Sequence, residues 1–479
     1  MNLPTLRAAR ARSAKSSLFI STAVFALVAY PAAASAQDQP WLKDRRYTEG
    51  IGYKVGDFEL HPGAAAEFGY DSNYTHSCGS SCPGGAQDVV GTLRLRLTPS
   101  FSVETLGQQR REANGGPPPS VEFRARVAAT GDIFFGVSGA QKPQATNLTN
   151  IGILSDMGLQ ILPGHTWSGN LTASYNRALT PAQSLPTGPF NSTNTFDRDL
   201  PSVGGELVFT PGAGLFEARL GYLFSGTFFE DSTNFQTLDN VNNQIELRGR
   251  WRFLPRTALV YDGRFGFINY TNTSATTMGM TSIPHPNAHP VRTELGINGL
   301  VTSSFGILAM GGWGASFYGL SIDNQPHNFD SFIGQLELKW YVTPNPSLEP
   351  GNATLTLSAI SVGFLRDFSD SFIGSYFERD RGYLNLSYNF AGRFVVVLEG
   401  GGAAIVYPVI PKLAAKGFTD PRIDASLFGE WRFKDSFGLN ATFRYNQEWS
   451  STPLNLSSGM TTSLAFQEFE AYLGFRWLM

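Results

Sequence analysis

The sequence predicts an all-β protein, a transmembrane antiparallel up-and-down β-barrel of about 18 strands. Three observations predict it. Strand-length segments that alternate apolar with charged residues recur along the chain to its last residue. Tight Pro/Gly turns alternate with longer polar loops. No segment after the N-terminal leader offers the roughly 18 consecutive apolar residues a membrane helix needs. Composition agrees: among 479 residues there are 51 Gly and 37 Phe, and only 16% are charged. The mean hydropathy is −0.13. A helical membrane protein would be far more apolar, whereas a barrel with one residue in two facing lipid averages out as polar.

The alternation is clearest at 244–253, where Ile245, Leu247, Gly249, Trp251 and Phe253 interleave with Glu246, Arg248, Arg250 and Arg252. Side chains alternate across a strand, so one face is apolar and the other charged; on a helix the charges would wrap every side. The same split sets Leu93, Leu95 and Leu97 against Arg94 and Arg96. It sets Val121, Phe123, Ala125 and Val127 against Glu122, Arg124 and Arg126, and Phe216, Ala218 and Leu220 against Glu217 and Arg219. Ile423, Leu427, Trp431 and Phe433 oppose Asp424, Glu430 and Arg432, and Leu439, Phe443 and Tyr445 oppose Asn440, Thr442 and Arg444. A soluble β-sandwich would also explain any one such strand. So many long runs studded with Trp, Tyr and Phe favour a membrane barrel.

Taken in order, the predicted strands are 56–70, 88–106, 120–138, 147–162, 165–178, 200–210, 214–229, 241–254, 257–271, 290–303, 305–320, 330–343, 352–368, 376–390, 393–408, 421–433, 436–449 and 464–479. Tight turns are predicted at Leu162-Pro163-Gly164, Thr210-Pro211-Gly212, Leu254-Pro255-Arg256, Thr343-Pro344-Asn345, Ala391-Gly392 and Lys434-Asp435-Ser436, where Pro and Gly preset turn geometry. Longer polar loops fall at 71–87, 179–199, 230–240, 272–289, 321–329, 410–420 and 450–463. Short turns on one side and long loops on the other is the outer-membrane pattern, and an even strand count places both chain ends on the periplasmic side. Pro99 interrupts an alternating segment and Gln108 to Pro119 reads as a Pro/Gly-rich linker, so a turn at Pro99 is an alternative there.

Residues 1–36 read as a signal peptide. Arg7, Arg10, Arg12 and Lys15 form a basic region, Leu18 to Tyr30 is a short apolar stretch, and Ala34-Ser35-Ala36 is a small-residue cleavage site. Residues 37–55 then form a short periplasmic segment and 56–479 the barrel. Removing residues 1–36 takes away four basic residues and no acid, moving the formal net charge from −3 to −7. That balance gives no case for nucleic-acid binding. The two cysteines, Cys78 and Cys82, stand as C-x3-C. In an exported chain this reads as a loop disulfide; a zinc site needs more ligands.

The expected functional surface is the lumen. Arg94, Arg96, Arg124, Arg126, Arg219, Arg248, Arg250, Arg252, Arg264, Arg292, Arg432, Arg444 and Arg476 all fall on the charged parity. So do Glu122, Glu206, Glu217, Glu246, Asp262, Glu294, Glu337, Asp424, Glu430 and Glu470. Each Lys or Arg turned to lipid would cost about 2–4 kcal/mol near the midplane, so these residues are expected to face inward. One reading is cross-strand charge pairing that keeps the barrel rigid and wet. Another is a polar track for a hydroxyl-rich or anionic substrate, with Arg248, Arg250 and Arg252 as its ladder. Six histidines (His61, His76, His165, His285, His289 and His327) show no metal-ligand spacing, and no G-x-S-x-G occurs. Neither an enzyme nor a cofactor is expected.

Two segments carry a resemblance. Phe58-Glu59-Leu60-His61-Pro62-Gly63 through Glu67-Phe68-Gly69-Tyr70-Asp71-Ser72-Asn73 resembles the opening strand of a family of bacterial outer-membrane β-barrel porins associated with exopolysaccharide production. The C-terminal Phe469-Glu470-Ala471-Tyr472-Leu473-Gly474-Phe475-Arg476-Trp477-Leu478-Met479 is similar to the terminal strand read by the barrel insertion machinery, although that signal usually ends in an aromatic and this chain ends in Met479. The resemblance implies a conduit in the bacterial outer membrane for exopolysaccharide export, partnered by outer-membrane lipid and a periplasmic polysaccharide-export protein. The rivals are a general diffusion porin, constricted by an inward-folded loop such as 179–199 or 272–289, and a plugged barrel anchoring an envelope complex.

Overall fold

A computed structural model describes residues 52–82, 89–106, 120–137, 149–178, 197–230, 236–272, 285–319, 327–342, 358–371, 373–390, 393–410, 413–434, 436–455 and 461–479. Among these, eighteen long strands run antiparallel in chain order. They are β1 (Phe58–Asp71), β2 (Thr92–Thr105), β3 (Val121–Gly136), β4 (Asn150–Ile161), β5 (Trp167–Ala178), β6 (Arg198–Phe209), β7 (Phe216–Phe229), β8 (Asn240–Leu254) and β9 (Thr257–Tyr270). The second half is β10 (Ala288–Leu300), β11 (Phe305–Tyr318), β12 (Phe329–Tyr341), β13 (Ala359–Asp370), β14 (Tyr376–Phe390), β15 (Phe394–Tyr407), β16 (Phe418–Lys434), β17 (Phe437–Glu448) and β18 (Phe466–Leu478). The sheet closes because β1 pairs with both β2 and β18, from Gly63 opposite Leu478 to Asp71 opposite Glu470. Closure leaves no bare sheet edge, the condition for spanning lipid with strands. A three-residue strand, Tyr53–Val55, folds back on the start of β1.

Parity decides the two faces. Leu220, Leu247, Trp251, Leu295, Leu338, Leu427 and Leu473 are exposed on the outside. Their neighbours Arg219, Glu246, Arg248, Glu294, Glu337, Ser426 and Tyr472 turn inward. At the end where the short turns lie, aromatic rings pair up on the outer face around much of the barrel. The pairs include Trp167 with Phe209, Trp251 with Phe253, Phe305 with Trp340, and Trp431 with Phe433. Phe390–Phe394 and Phe437–Phe475 continue the band.

All eighteen predicted strands are present, with shifts at some ends. The predicted 88–106 is Thr92–Thr105, and the predicted 352–368 is Ala359–Asp370. Pro99 makes no turn: it stays inside β2 opposite Ala64. The ladder to β3 skips from Leu97 to Ser100 instead, because proline has no N–H to donate. A hydroxyl contact between Thr98 and Thr130 at 3.2 Å bridges that gap. Thr343-Pro344-Asn345 lies outside the described residues, and β12 and β13 are joined there by the longer 342–358. On the opposite side, β13 and β14 are joined by only 371–375.

Candidate functional site

The inward face carries the chemistry, and its charges are arranged in pairs. The densest group lines the closing seam, from β16 through β17, β18, β1 and β2 to β3. Arg94 donates from Nε and Nη2 to the two carboxylate oxygens of Asp132, at 3.1 and 2.8 Å, and both side chains are wholly buried. Arg96 lies 3.6 Å from Glu67, 3.6 Å from Asp132 and 3.8 Å from Glu470, with its guanidinium 3.8 Å from the centre of the Tyr472 ring. Arg444 reaches Glu470 at 3.2 Å. Nearer the periplasmic end, Arg432 and Arg476 share Glu430. A buried charge is costly unless paired, and Arg94, Arg96, Arg432, Arg444 and Arg476 each meet an acid here, with residues drawn from six strands.

A second network lines β3 to β8 and is more open to solvent. Arg126 pairs with Asp156. Glu206 receives Arg219 at 3.1 Å and Arg248 at 2.7 Å, and its Oε2 also accepts from Asn170. Glu217 receives Arg250 at 2.6 Å, and Arg248 also lies 3.1 Å from Glu246. Hydroxyls and amides fill the gaps, including Ser174 against Ser202 at 2.7 Å. The predicted ladder is therefore split between partners, with Arg248 on Glu206 and Arg250 on Glu217. Arg252 shares their inward parity at the periplasmic end of β8. Arg124 and Glu122 share the inward parity of Arg126 on β3, with Arg124 packed beside Gly158.

The third stretch spans β9 to β16. Arg264 pairs with Asp262 at 2.8 Å. Arg292 pairs with Asp367 at 3.1 Å and stacks over Phe368. Arg381 meets Asp424. Glu337 takes Lys339 at 3.2 Å and the Tyr383 hydroxyl at 2.9 Å. Glu294 lies directly opposite Asp262 across β9 and β10. Parity groups these residues in the sequence, and the structure gives the partners of those named here.

Sequence reasoning missed the first extracellular loop as a structural part of the lumen. Residues 72–82 turn inward over the seam. Ser72 bonds Phe469 in both directions, its N–H donating to the carbonyl at 3.0 Å and its hydroxyl accepting from the Phe469 N–H at 2.8 Å. Asn73 ties the loop to itself and to β18, donating to the Ser77 and Gln467 carbonyls and accepting from the Ser77 N–H. Tyr74 packs on Phe134 and faces Arg94, and burial pushes its hydroxyl pKa up. His76 stacks on Phe466, with Nε2 3.1 Å from Glu468. A disulfide joins Cys78 to Cys82 at the buried end of this turn. The available signal was the Tyr-Asp-Ser-Asn string, followed within a few residues by His76 and the cysteine pair. The loops 179–199 and 272–289, expected as constrictions, lie for the most part outside the described residues.

Apolar packing closes over another part of the extracellular end. Ile373, Ile405, Tyr407, Ile410, Leu413, Ala414, Leu454 and Leu464 form one buried cluster drawn from three connections and β15. At the outer rim, Arg177 reaches Glu230, and Asp197 accepts from Asn150. Burial pushes the Asp197 carboxyl up to about 6.

The aromatic band, the apolar exterior and the charged interior together require lipid outside and water inside. The protein is an outer-membrane β-barrel. No family model matches the sequence, and no curated protein matches it. Among solved structures, the chain is similar to the FrpB iron transporter from Neisseria meningitidis (F3-3 variant), at 8% identity and a TM-score of 0.44, covering 88% of this chain and 81% of that one. It is similar to a bacterial polysaccharide outer membrane secretin at 9% identity and a TM-score of 0.33, covering 88% and 99%. It is similar to OmpT of Vibrio cholerae at 10% identity and a TM-score of 0.35, covering 89% and 99%.

Proposed function

We propose that this barrel is a passive conduit for a hydroxyl-rich polymer, an exopolysaccharide leaving the cell, and that it carries no catalysis. The observation that supports this reading is the pairing of the lumen charges. A wall in which Arg126, Arg219, Arg248 and Arg250 each meet an acid presents many hydrogen-bonding groups with little net field. Such a wall suits sugar hydroxyls, which need partners but no counter-charge. The resemblance of the opening strand to barrels associated with exopolysaccharide production points the same way. A periplasmic polysaccharide-export protein would hand over the chain, and the C-terminal strand would be the address for insertion. Two measurements test the proposal together: single-channel conductance in planar bilayers and surface polysaccharide in a deletion strain. A barrel with no conductance and a deletion strain with unchanged polysaccharide would overturn it.

The inward-folded first loop favours a second reading, a diffusion porin for small solutes. Liposome swelling separates the two. Free, size-limited uptake of small sugars through the isolated barrel supports the porin; exclusion of them together with polymer transit supports the conduit.

A further inference from the structure

At the extracellular end of the seam, three buried carboxylates converge. Asp71 ends β1, and Glu468 and Glu470 lie on β18, with one oxygen of each within 4.8 Å of the others. All three residues are 2% exposed or less. Asp71 stands directly opposite Glu470 in the closing ladder, and like charges directly opposite each other destabilise a strand pair. Glu470 has counter-charge elsewhere, Arg444 at 3.2 Å and Arg96 at 3.8 Å, and accepts from the Tyr472 hydroxyl at 3.1 Å. Glu468 accepts from Asn446 at 3.0 Å. Asp71 is different. Its Oδ1 accepts the Asn73 N–H, but its Oδ2 has no hydrogen-bond partner and, among the described residues, the carboxylate makes no ion pair. The nearby Arg94 is engaged by Asp132 through two nitrogens.

A fourth group comes from the other side. The inward-folded loop brings the His76 side chain, 7% exposed, against Glu468, with Nε2 3.1 Å from its Oε1. Among the described residues, His76 Nδ1 has no hydrogen-bond partner, and Nε2 meets Glu468. The loop that carries it is held by Asn73 and by the Cys78–Cys82 disulfide.

We propose that Asp71, His76 and Glu468, with Glu470 alongside, bind a divalent cation that fastens the first loop to the closing strands. The Asp71 oxygen, the Glu468 oxygen and an imidazole nitrogen make a mixed oxygen–nitrogen set. Such a set suits Zn2+ or Mn2+; Ca2+ prefers oxygen ligands alone and more of them. A cation here supplies the counter-charge that Asp71 lacks. It also gives the Tyr70-Asp71-Ser72-Asn73 string two roles: Ser72 and Asn73 fold the loop inward, and Asp71 supplies a ligand.

The test uses the full barrel, folded in detergent, stripped with chelator and then dialysed against Zn2+ or Mn2+ alone, with bound metal counted by mass spectrometry. Folding is checked by heat-modifiable gel mobility. The wild type is expected to retain one equivalent of Zn2+ or Mn2+. Asp71→Asn and His76→Gln should each weaken binding by more than about tenfold, a loss that even outer-shell partners of metal sites carry. Asp156→Asn, in a separate ion pair on the open wall, should retain the full equivalent. A wild-type barrel that retains no metal overturns the proposal, as do folded Asp71→Asn and His76→Gln variants that retain as much as the wild type. Retention of Ca2+ in place of Zn2+ or Mn2+, undiminished in His76→Gln, overturns the assigned ligand set.

Discussion

Replacing Arg94 with Met tests whether the seam charges act as scaffold. The substitution keeps most of the side-chain volume and removes the guanidinium. It deletes two hydrogen bonds to Asp132, at 3.1 and 2.8 Å, and the cation–π contacts to Tyr74 and Phe134 at 5.3 and 4.9 Å. It leaves Asp132 charged and wholly buried. Removing one partner of a buried pair costs about 3–5 kcal/mol, because the other charge is left uncompensated. Arg96, whose Nε is 3.6 Å from Asp132, softens that loss, so the expected cost sits at the low end, about 3 kcal/mol. The double variant Arg94→Met/Asp132→Leu removes both charges and should recover most of the loss. Urea titration of the barrel in phospholipid vesicles, followed by tryptophan fluorescence, reads both values. A single variant within about 1 kcal/mol of wild type, the range of an exposed pair, would refute the reasoning. A double variant no more stable than the single one would do the same.

Three further outcomes are expected. Replacing Cys78 and Cys82 with Ser should cost about 2 kcal/mol at most, since the bond closes a very short loop, and should raise single-channel conductance by loosening the inward turn; unchanged conductance would place the loop clear of the ion path. The pair Glu206→Gln and Glu217→Gln leaves Arg219, Arg248 and Arg250 without these acids, and should shift ion selectivity toward anions, read as the reversal potential in a salt gradient. The third concerns Asp197, whose folded-state pKa, about 6, lies above the ordinary carboxylate value because burial disfavours the charge. The folded barrel therefore holds that proton more tightly than the unfolded chain. The stabilisation is complete below about pH 4 and is lost as pH rises through the folded-state value. Asp197→Asn should remove this pH dependence of amide-exchange protection at the start of β6, and an unaltered profile would contradict the assignment.

The strands were legible because each has two faces with different solvents, so period-2 alternation marks both the element and its orientation. It placed Arg94, Arg96, Arg248, Arg250 and Arg264 on the inward parity. Boundaries slipped where that contrast fades. Ahead of Thr92 the chain has no alternating face to mark where pairing begins, and 352–357, expected as the start of β13, lies outside the described residues. The partners were not legible, because pairing is set by barrel closure and not by nearby sequence. Arg94 meets Tyr472 across 378 positions, and Arg292 meets Asp367 across 75. The inward turn at Asn73 was harder still. It depends on Asn73 reaching the Gln467 carbonyl, a contact that exists only once the first and last strands lie side by side.

That adjacency also explains why the densest buried charge sits at the seam. Every other strand pair is joined by a connection that limits its register; β1 and β18 are joined only by the whole length of the barrel. A slip of two residues would keep every apolar side chain facing lipid, so the hydrophobic pattern alone cannot forbid it. The charges can. In the observed register β18 places Glu470 beside Arg444 and level with Asp71, and Arg476 within reach of Glu430. Slipping β1 and β2 by two residues against β18 would carry Arg96 away from Glu470, 3.8 Å from it in the observed register, and Arg94 away from the Tyr472 hydroxyl at 3.5 Å. Contacts between buried polar groups are costly to break, so those that cross the closure favour one register among several that lipid would accept equally.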